Sequence, residues 1–111
     1  MLDALFGNRV IEKILFFLLI NQKCYAYQLK KRFDMPLYSL QRALTRLEDG
    51  GIIVSFNEGK TRMYQFNPRY PFLKELVAFL EKAYTFLPED LRLKYYDPPI
   101  RKRPRRRGKP L

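Results

Sequence analysis

The chain has 111 residues with 22 Lys+Arg against 11 Asp+Glu, a formal charge of +11, and it contains one Cys and no His. That length allows one domain with a modest core plus a tail, and the basic excess points to a polyanion partner more than to small-molecule chemistry. With Cys24 alone and no His, neither an intrachain disulfide framework nor a His/Cys zinc site can be assembled, so no metal and no cofactor is expected.

Residues 2 to 6 (LDALF) precede Gly7, and Asn8 is placed to cap a helix from about Arg9 to Asn21. Val10, Ile11, Ile14, Leu15, Leu18 and Leu19 form its core stripe, while Phe16, Phe17 and Ile20 carry apolar surface around most of the circumference. A helix this apolar in so small a chain predicts a second cover from another subunit. The apolar run Ile14 to Ile20 is far shorter than the about 20 residues a transmembrane helix needs. Asp3 and Glu12 before it, and Asn21-Gln22-Lys23 after it, argue against a secretory signal. The expected setting is therefore reducing and cytoplasmic, with the protein nucleoid-associated and no membrane partner.

Lys23 to Tyr25 can form a brief strand, and Tyr27 to Phe33 a short helix with Leu29 and Phe33 on one face. Asp34, which tolerates the left-handed conformation, can make the turn that follows. Pro36 stands at or beside the start of a second helix, where its missing N–H costs nothing, and Gly50-Gly51 ends that helix. Leu40, Leu44 and Leu47 recur at helical spacing along the second helix. The opposite face carries Tyr38, Gln41, Arg42 and Thr45, with Arg46 at its margin. A rigid, cationic, hydrogen-bonding rod of this kind is what reading base edges in a major groove requires. Gln41 and Arg42 are the candidates for base readout, and Lys30, Lys31, Lys60 and Arg62 for phosphates. The bland alternative for Arg42 and Arg46 is a solvated helix face of small energetic weight.

Ile52 to Phe56 and Thr61 to Phe66 read as two strands, with Asn57-Glu58-Gly59-Lys60 between them as a hairpin turn. Pro71 opens a helix from Phe72 to about Leu87 with eleven apolar positions in sixteen, too many for one buried face. Phe79, Leu80, Ala83, Tyr84 and Phe86 are therefore assigned, with Phe16, Phe17 and Ile20, to a homodimer interface. The competing explanation is that residues 88 to 96 fold back over this helix. Pro88-Glu89-Asp90 can start one more short helix. The expected organisation is a domain at 1–90, a short connecting segment at 91–96 and a disordered basic tail at 97–111. The last fifteen residues hold seven Lys/Arg against Asp97 alone, so +6 of the +11 lies there. Arg101, Lys102, Arg103, Arg105, Arg106, Arg107 and Lys109 are candidates for a minor-groove arm, against a solubilising charge run or a localisation signal.

The order helix, short strand, helix, helix, hairpin, helix resembles the winged helix-turn-helix domains of small prokaryotic transcriptional regulators, most like the ArsR-like group. The stretch QLKKRFDMPLYSLQRALTRLEDGGII is similar to the family pattern of a Leu in the first helix, a short turn, an xxxLxxALxxLExxGhh second helix and an immediate apolar strand. The resemblance implies a mainly α fold with a small β-hairpin, in the order α-(β)-α-α-β-β-α. It also implies Tyr38, Ser39, Gln41, Arg42, Thr45 and Arg46 as groove residues, Lys60 and Arg62 on the wing, and terminal helices that pair two subunits. The Cys or His pairs of metal-sensing members are missing, and Pro36-Leu37 stands where such families often have Ser and a polar residue. Arg107-Gly108-Lys109-Pro110 is similar to the Arg-Gly-Arg-Pro core of an AT-hook, with Lys in place of the second Arg.

There is no Gly-rich phosphate loop, no metal-ligand cluster and no carboxylate pair in an apolar segment, so an enzyme is not expected. The expected function is sequence-specific binding of double-stranded DNA by a homodimeric regulator. A winged-helix protein-interaction or RNA-binding adaptor without operator specificity is the alternative.

Overall fold

The computed structural model describes residues 1–98. The chain runs α1 (Asp3–Phe6), α2 (Arg9–Asn21), β1 (Lys23–Cys24), α3 (Ala26–Phe33), α4 (Leu37–Asp49), β2 (Ile53–Glu58), β3 (Thr61–Phe66), α5 (Leu73–Tyr84) and α6 (Glu89–Tyr95). The expected winged helix-turn-helix order is present, with α1 and α6 added at its ends. Residues 99–111, which hold the candidate arm residues from Arg101 to Lys109, lie outside the described residues.

Local chemistry sets most of the boundaries. Asn8 caps α2 through its side-chain oxygen, which accepts from the backbone N–H of Val10 at 2.6 Å and of Ile11 at 3.4 Å. Asp34 takes the left-handed conformation (φ 55°) after α3 and turns the chain into α4. Gly51 (φ 77°) does the same after α4, and the Ile52 N–H reaches back to the Leu47 carbonyl at 3.0 Å, which closes a Schellman-type stop. Strands β2 and β3 pair antiparallel from Ile53 opposite Phe66 to Glu58 opposite Thr61, leaving Gly59-Lys60 as a two-residue turn with Gly59 at φ 65°. β1 adds to the other edge of β3, with Lys23 opposite Gln65 and Cys24 opposite Tyr64, so the strand order is β1-β3-β2.

The core collects Ile14, Phe16, Phe17 and Leu18 of α2, Leu29 and Phe33 of α3, Leu40, Leu44 and Leu47 of α4, Ile53, and Leu80 of α5. Helix α2 is central and packs against both α4 and α5. Cys24 is fully buried among these residues, and burial pushes its thiol up to about 12.

Two expectations are corrected here. Phe16 and Leu80 are 0% exposed and Phe17 and Ala83 are buried, so none of these four can form a homodimer surface. The cover comes from the same chain. Helix α6 folds back and inserts Tyr96, which is 3% exposed, against Phe16 (ring centroids 5.5 Å apart) and Phe33 (6.1 Å). Tyr84 tilts against Phe16 at 5.6 Å and is half-buried, as is Ile20. Residues 91–96 are accordingly part of a packed helix and its exit, where a mere connecting segment was expected. A helix of seven residues does not hold itself together in water, and tertiary ties supply what its length cannot. Arg32 of α3 donates from Nε to the Lys94 carbonyl at 2.9 Å and from Nη2 to the Leu93 carbonyl at 3.2 Å and the Asp97 carbonyl at 2.5 Å. Asn21 Nδ2 adds a bond to the Tyr96 carbonyl at 2.7 Å, and the Tyr84 hydroxyl donates to Asp97 Oδ1.

Helix α5 is also shorter than the expected 72–87. Thr85, Phe86 and Leu87 bond back three residues, to Lys82, Ala83 and Tyr84, in a tightened exit that Pro88 follows. This leaves Phe86 69% exposed and Phe79 42% exposed, the two assigned interface residues that remain fully on the surface.

Candidate nucleic-acid interface

The face of α4 opposite the core is solvent-exposed over Tyr38, Gln41, Arg42, Thr45 and Arg46, while Ser39 is half-buried at its edge. The spacing explains this division: Leu40, Ala43, Leu44 and Leu47 are all buried on the other side of the same helix. Tyr38, Gln41, Arg42, Thr45, Arg46 and Asp49 line one shallow concavity along this face. Tyr38, 68% exposed, accepts a hydrogen bond on its hydroxyl from Arg42 Nη1 at 3.3 Å, and the guanidinium carbon lies 5.7 Å from its ring centroid. That contact pre-orients Arg42 without neutralising it. Neither Arg42 nor Arg46 has a carboxylate within salt-bridge distance among the described residues.

The flanking cations differ in how free they are. Lys31 is exposed and Lys30 half-buried, and both ammonium groups lie 5.7 Å from the exposed ring of Tyr27, one turn earlier on α3. Lys60 sits exposed at the tip of the β2–β3 wing. Arg62 is engaged: its Nη2 reaches both carboxylate oxygens of Glu48, at 3.2 and 3.3 Å. Glu48 also accepts from the Ser55 hydroxyl at 2.6 Å, so one carboxylate at the end of α4 is bonded to both strands of the wing. On the far strand edge Lys23 pairs with Glu58 at 2.9 Å.

The structure thus gathers the candidate groove residues on one helix face and places Lys60 on the wing. It also shows three residues that the sequence reading passed over: Glu48 as the tie between helix and wing, Tyr27 beside the α3 lysines, and Arg32 as the anchor of α6. For Glu48 and Arg32 the partners are remote in sequence, so no local pattern signals them. Tyr27 could have been found from its one-turn spacing to Lys30 and Lys31.

Among the described residues no group of three or more His, Cys, Asp or Glu is gathered closely enough to hold a metal ion, and no helix is long and apolar enough to cross a membrane.

No family model and no curated protein matches the chain. Among solved structures, it is similar to the apo form of the C30AH42A mutant of Lactococcus lactis ZitR, with 17% identity and a TM-score of 0.52 over 74% of this chain and 67% of that one. It is also similar to the adhesin competence repressor AdcR from Streptococcus pyogenes, with 11% identity and a TM-score of 0.50 over 68% of this chain and 59% of that one. This chain therefore spans about three fifths to two thirds of the length of these neighbours. At such identities the likeness is one of fold, and it agrees with the winged helix-turn-helix arrangement of α3, α4 and the β2–β3 hairpin.

Proposed function

We propose that this chain is a transcriptional regulator that binds double-stranded DNA in a sequence-specific way, with α4 in the major groove and the wing on the adjacent backbone or minor groove. The observation that carries the reading is the exposed, unneutralised face of α4, held rigid by a stripe of buried leucines and preceded by a tight turn. The repressor named among the structural neighbours supports the same reading. Such a protein acts by occupying duplex DNA and performs no chemistry. The ArsR-like assignment rests on the sequence pattern alone.

Within this reading Gln41 and Arg42 meet base edges, and Tyr38, Ser39, Thr45 and Arg46 complete the groove face. Lys30, Lys31 and Lys60 meet phosphates, while Arg62 does so only by leaving Glu48. The basic residues between Arg101 and Lys109 add sequence-independent attraction. A second copy pairs along α5, where Phe79 stands exposed within the helix and Phe72 and Phe86 stand exposed just beyond its two ends. Exposed Phe side chains within and beside this helix are apolar surface that a monomer gains by covering. Two groove helices related by a two-fold axis would then read half-sites roughly 34–36 Å apart.

Selection from random duplex DNA tests the whole reading: the expected product is a partly palindromic site. Arg42→Ala should lower affinity for that site by about 1–3 kcal/mol and relax preference at one position in each half. An Arg42→Ala variant that keeps both the affinity and the sequence preference of the parent removes α4 as the reading element.

A further inference from the structure

Away from the α4 face, the N-terminal residues, the first half of α2 and the length of α6 line an open cleft of about 360 Å³, within the size range of small-molecule sites. Its apolar wall is made by Leu87, Leu91 and Tyr95, and its polar wall by Arg9, Glu12 and Lys13. The formal charges of the polar wall do not reveal its preference, because the acids are engaged and the cations are not. Glu12, almost fully buried, is already bonded through Oε1 to the Leu2 backbone N–H at 2.7 Å and lies 3.4 Å from the Met1 amine, so that amine is engaged while Arg9 and Lys13 are not. Asp3, at the mouth, is exposed, and its carboxylate lies 3.5 Å from the Met1 amine. Lys13, half-buried, has two ring faces beside its ammonium, Tyr95 at 3.6 Å and Phe33 at 5.6 Å from the centroids. Among the described residues neither Lys13 nor Arg9 has a carboxylate within salt-bridge distance. Lys94, outside the lining of the cleft, lies 5.2 Å from the Tyr95 ring. Burial holds the Lys13 ammonium below the usual lysine range; Tyr95 and Glu12 oppose that shift, and the like charges of Arg9 and Lys94 add to it.

We propose that this cleft binds a small organic monocarboxylate with an apolar body, its carboxylate between Lys13 and Arg9 and its alkyl or aryl portion along Leu87, Leu91 and Tyr95. The carboxylate supplies the charge that the two cations lack, and the apolar portion replaces water on Leu91 and Tyr95. A bound acid bridges α2 and α6. Since Arg32 ties the end of α6 to α3, the occupant also braces the helix that precedes the turn into α4. The site is independent of the reading of α4, and the test needs no DNA.

The test is a titration of the full chain with octanoate, read as amide chemical-shift changes at about 0.3 M salt so that diffuse attraction to the basic chain is screened. Octanol and octylammonium serve as probes that share the apolar body without the carboxylate. Saturable shifts are expected at residues 9–13 and 87–95, with octanol at least about tenfold weaker and octylammonium without effect. Lys13→Met should weaken octanoate about tenfold or more and Lys13→Arg should restore it. Arg9→Gln, at an exposed position whose replacement leaves the core untouched, should also weaken it and covers the case in which Lys13→Met fails to fold. The proposal is overturned if octanoate gives no saturable shift, if octanol binds as well as octanoate, if the shifts fall on α4, or if Arg9→Gln binds like the parent and Lys13→Met either does the same or fails to fold.

Discussion

Replacing Glu48 by Gln should make the protein bind DNA more tightly, although it removes an ion pair. Glu48 is 31% exposed and Arg62 59% exposed on their side chains, so water screens the pair and the substitution should leave the denaturant midpoint almost unchanged. Its effect on DNA binding is larger in kind. In the parent, the Arg62 guanidinium faces both oxygens of Glu48 and must give up that contact to meet a phosphate. With Gln in place the guanidinium is free, one more phosphate is neutralised, and the slope of log K against log salt should steepen by about 0.9. Over a fourfold rise in salt this is roughly a 3.5-fold greater loss of affinity, and at low salt the variant should bind more tightly than the parent by a similar or larger factor. The Gln amide can still accept from the Ser55 hydroxyl, so the wing keeps one tie to α4. Fluorescence anisotropy on a fixed duplex across a salt series measures both quantities. Combining Glu48→Gln with Arg62→Ala should abolish the gain, since the cycle then contains no cation to release. Unchanged slope with unchanged or weaker binding in the single variant, or a gain that survives in the double variant, refutes the idea that Glu48 restrains Arg62.

Arg32→Met removes three charge-assisted bonds to the carbonyls at the end of α6. Because water can replace part of what is lost, the expected cost is about 2–3 kcal/mol, read by denaturant unfolding together with faster amide exchange in residues 89–96. A cost under about 0.5 kcal/mol with unchanged exchange would remove Arg32 as the anchor. Cys24 is protonated in the folded state up to about 12, against an ordinary value of 9.0, so between those values the unfolded chain holds fewer protons and stability falls as pH rises. The contribution is fully present below pH 9 and should be lost at about 1.4 kcal/mol per pH unit above it, a slope that Cys24→Ala should reduce. Identical alkaline slopes for the two proteins contradict the burial argument. Phe79→Glu should convert a dimer of about twice 13.4 kDa into a monomer that keeps its fold, as sedimentation would show. A Phe79→Glu protein that remains dimeric places the pairing surface elsewhere.

The sequence by itself determined those features whose causes lie within a few residues. The alternation of Leu40, Leu44 and Leu47 with Gln41, Arg42 and Thr45 specified which side of α4 is buried, because a helix cannot turn one set inward without turning the other out. Asp34, Gly51 and Gly59 marked the three turns, because each takes the positive φ that few other residues adopt. Tertiary structure decided everything that depends on residues far apart in the chain. The excess apolar surface of α2 and α5 called for a second cover, but the residues alone could not say whether another chain or residues 89–96 supplied it. Hydrophobic burial is non-directional, and the choice fell to Tyr96 packing on Phe16 and to Arg32, sixty-two residues before Lys94, holding that carbonyl. Arg62 looked like a free wing cation until pairing of the strands brought it beside Glu48, fourteen residues earlier. In a domain this small, a few such long-range contacts decide which charges remain available to a partner and which apolar faces remain to be covered.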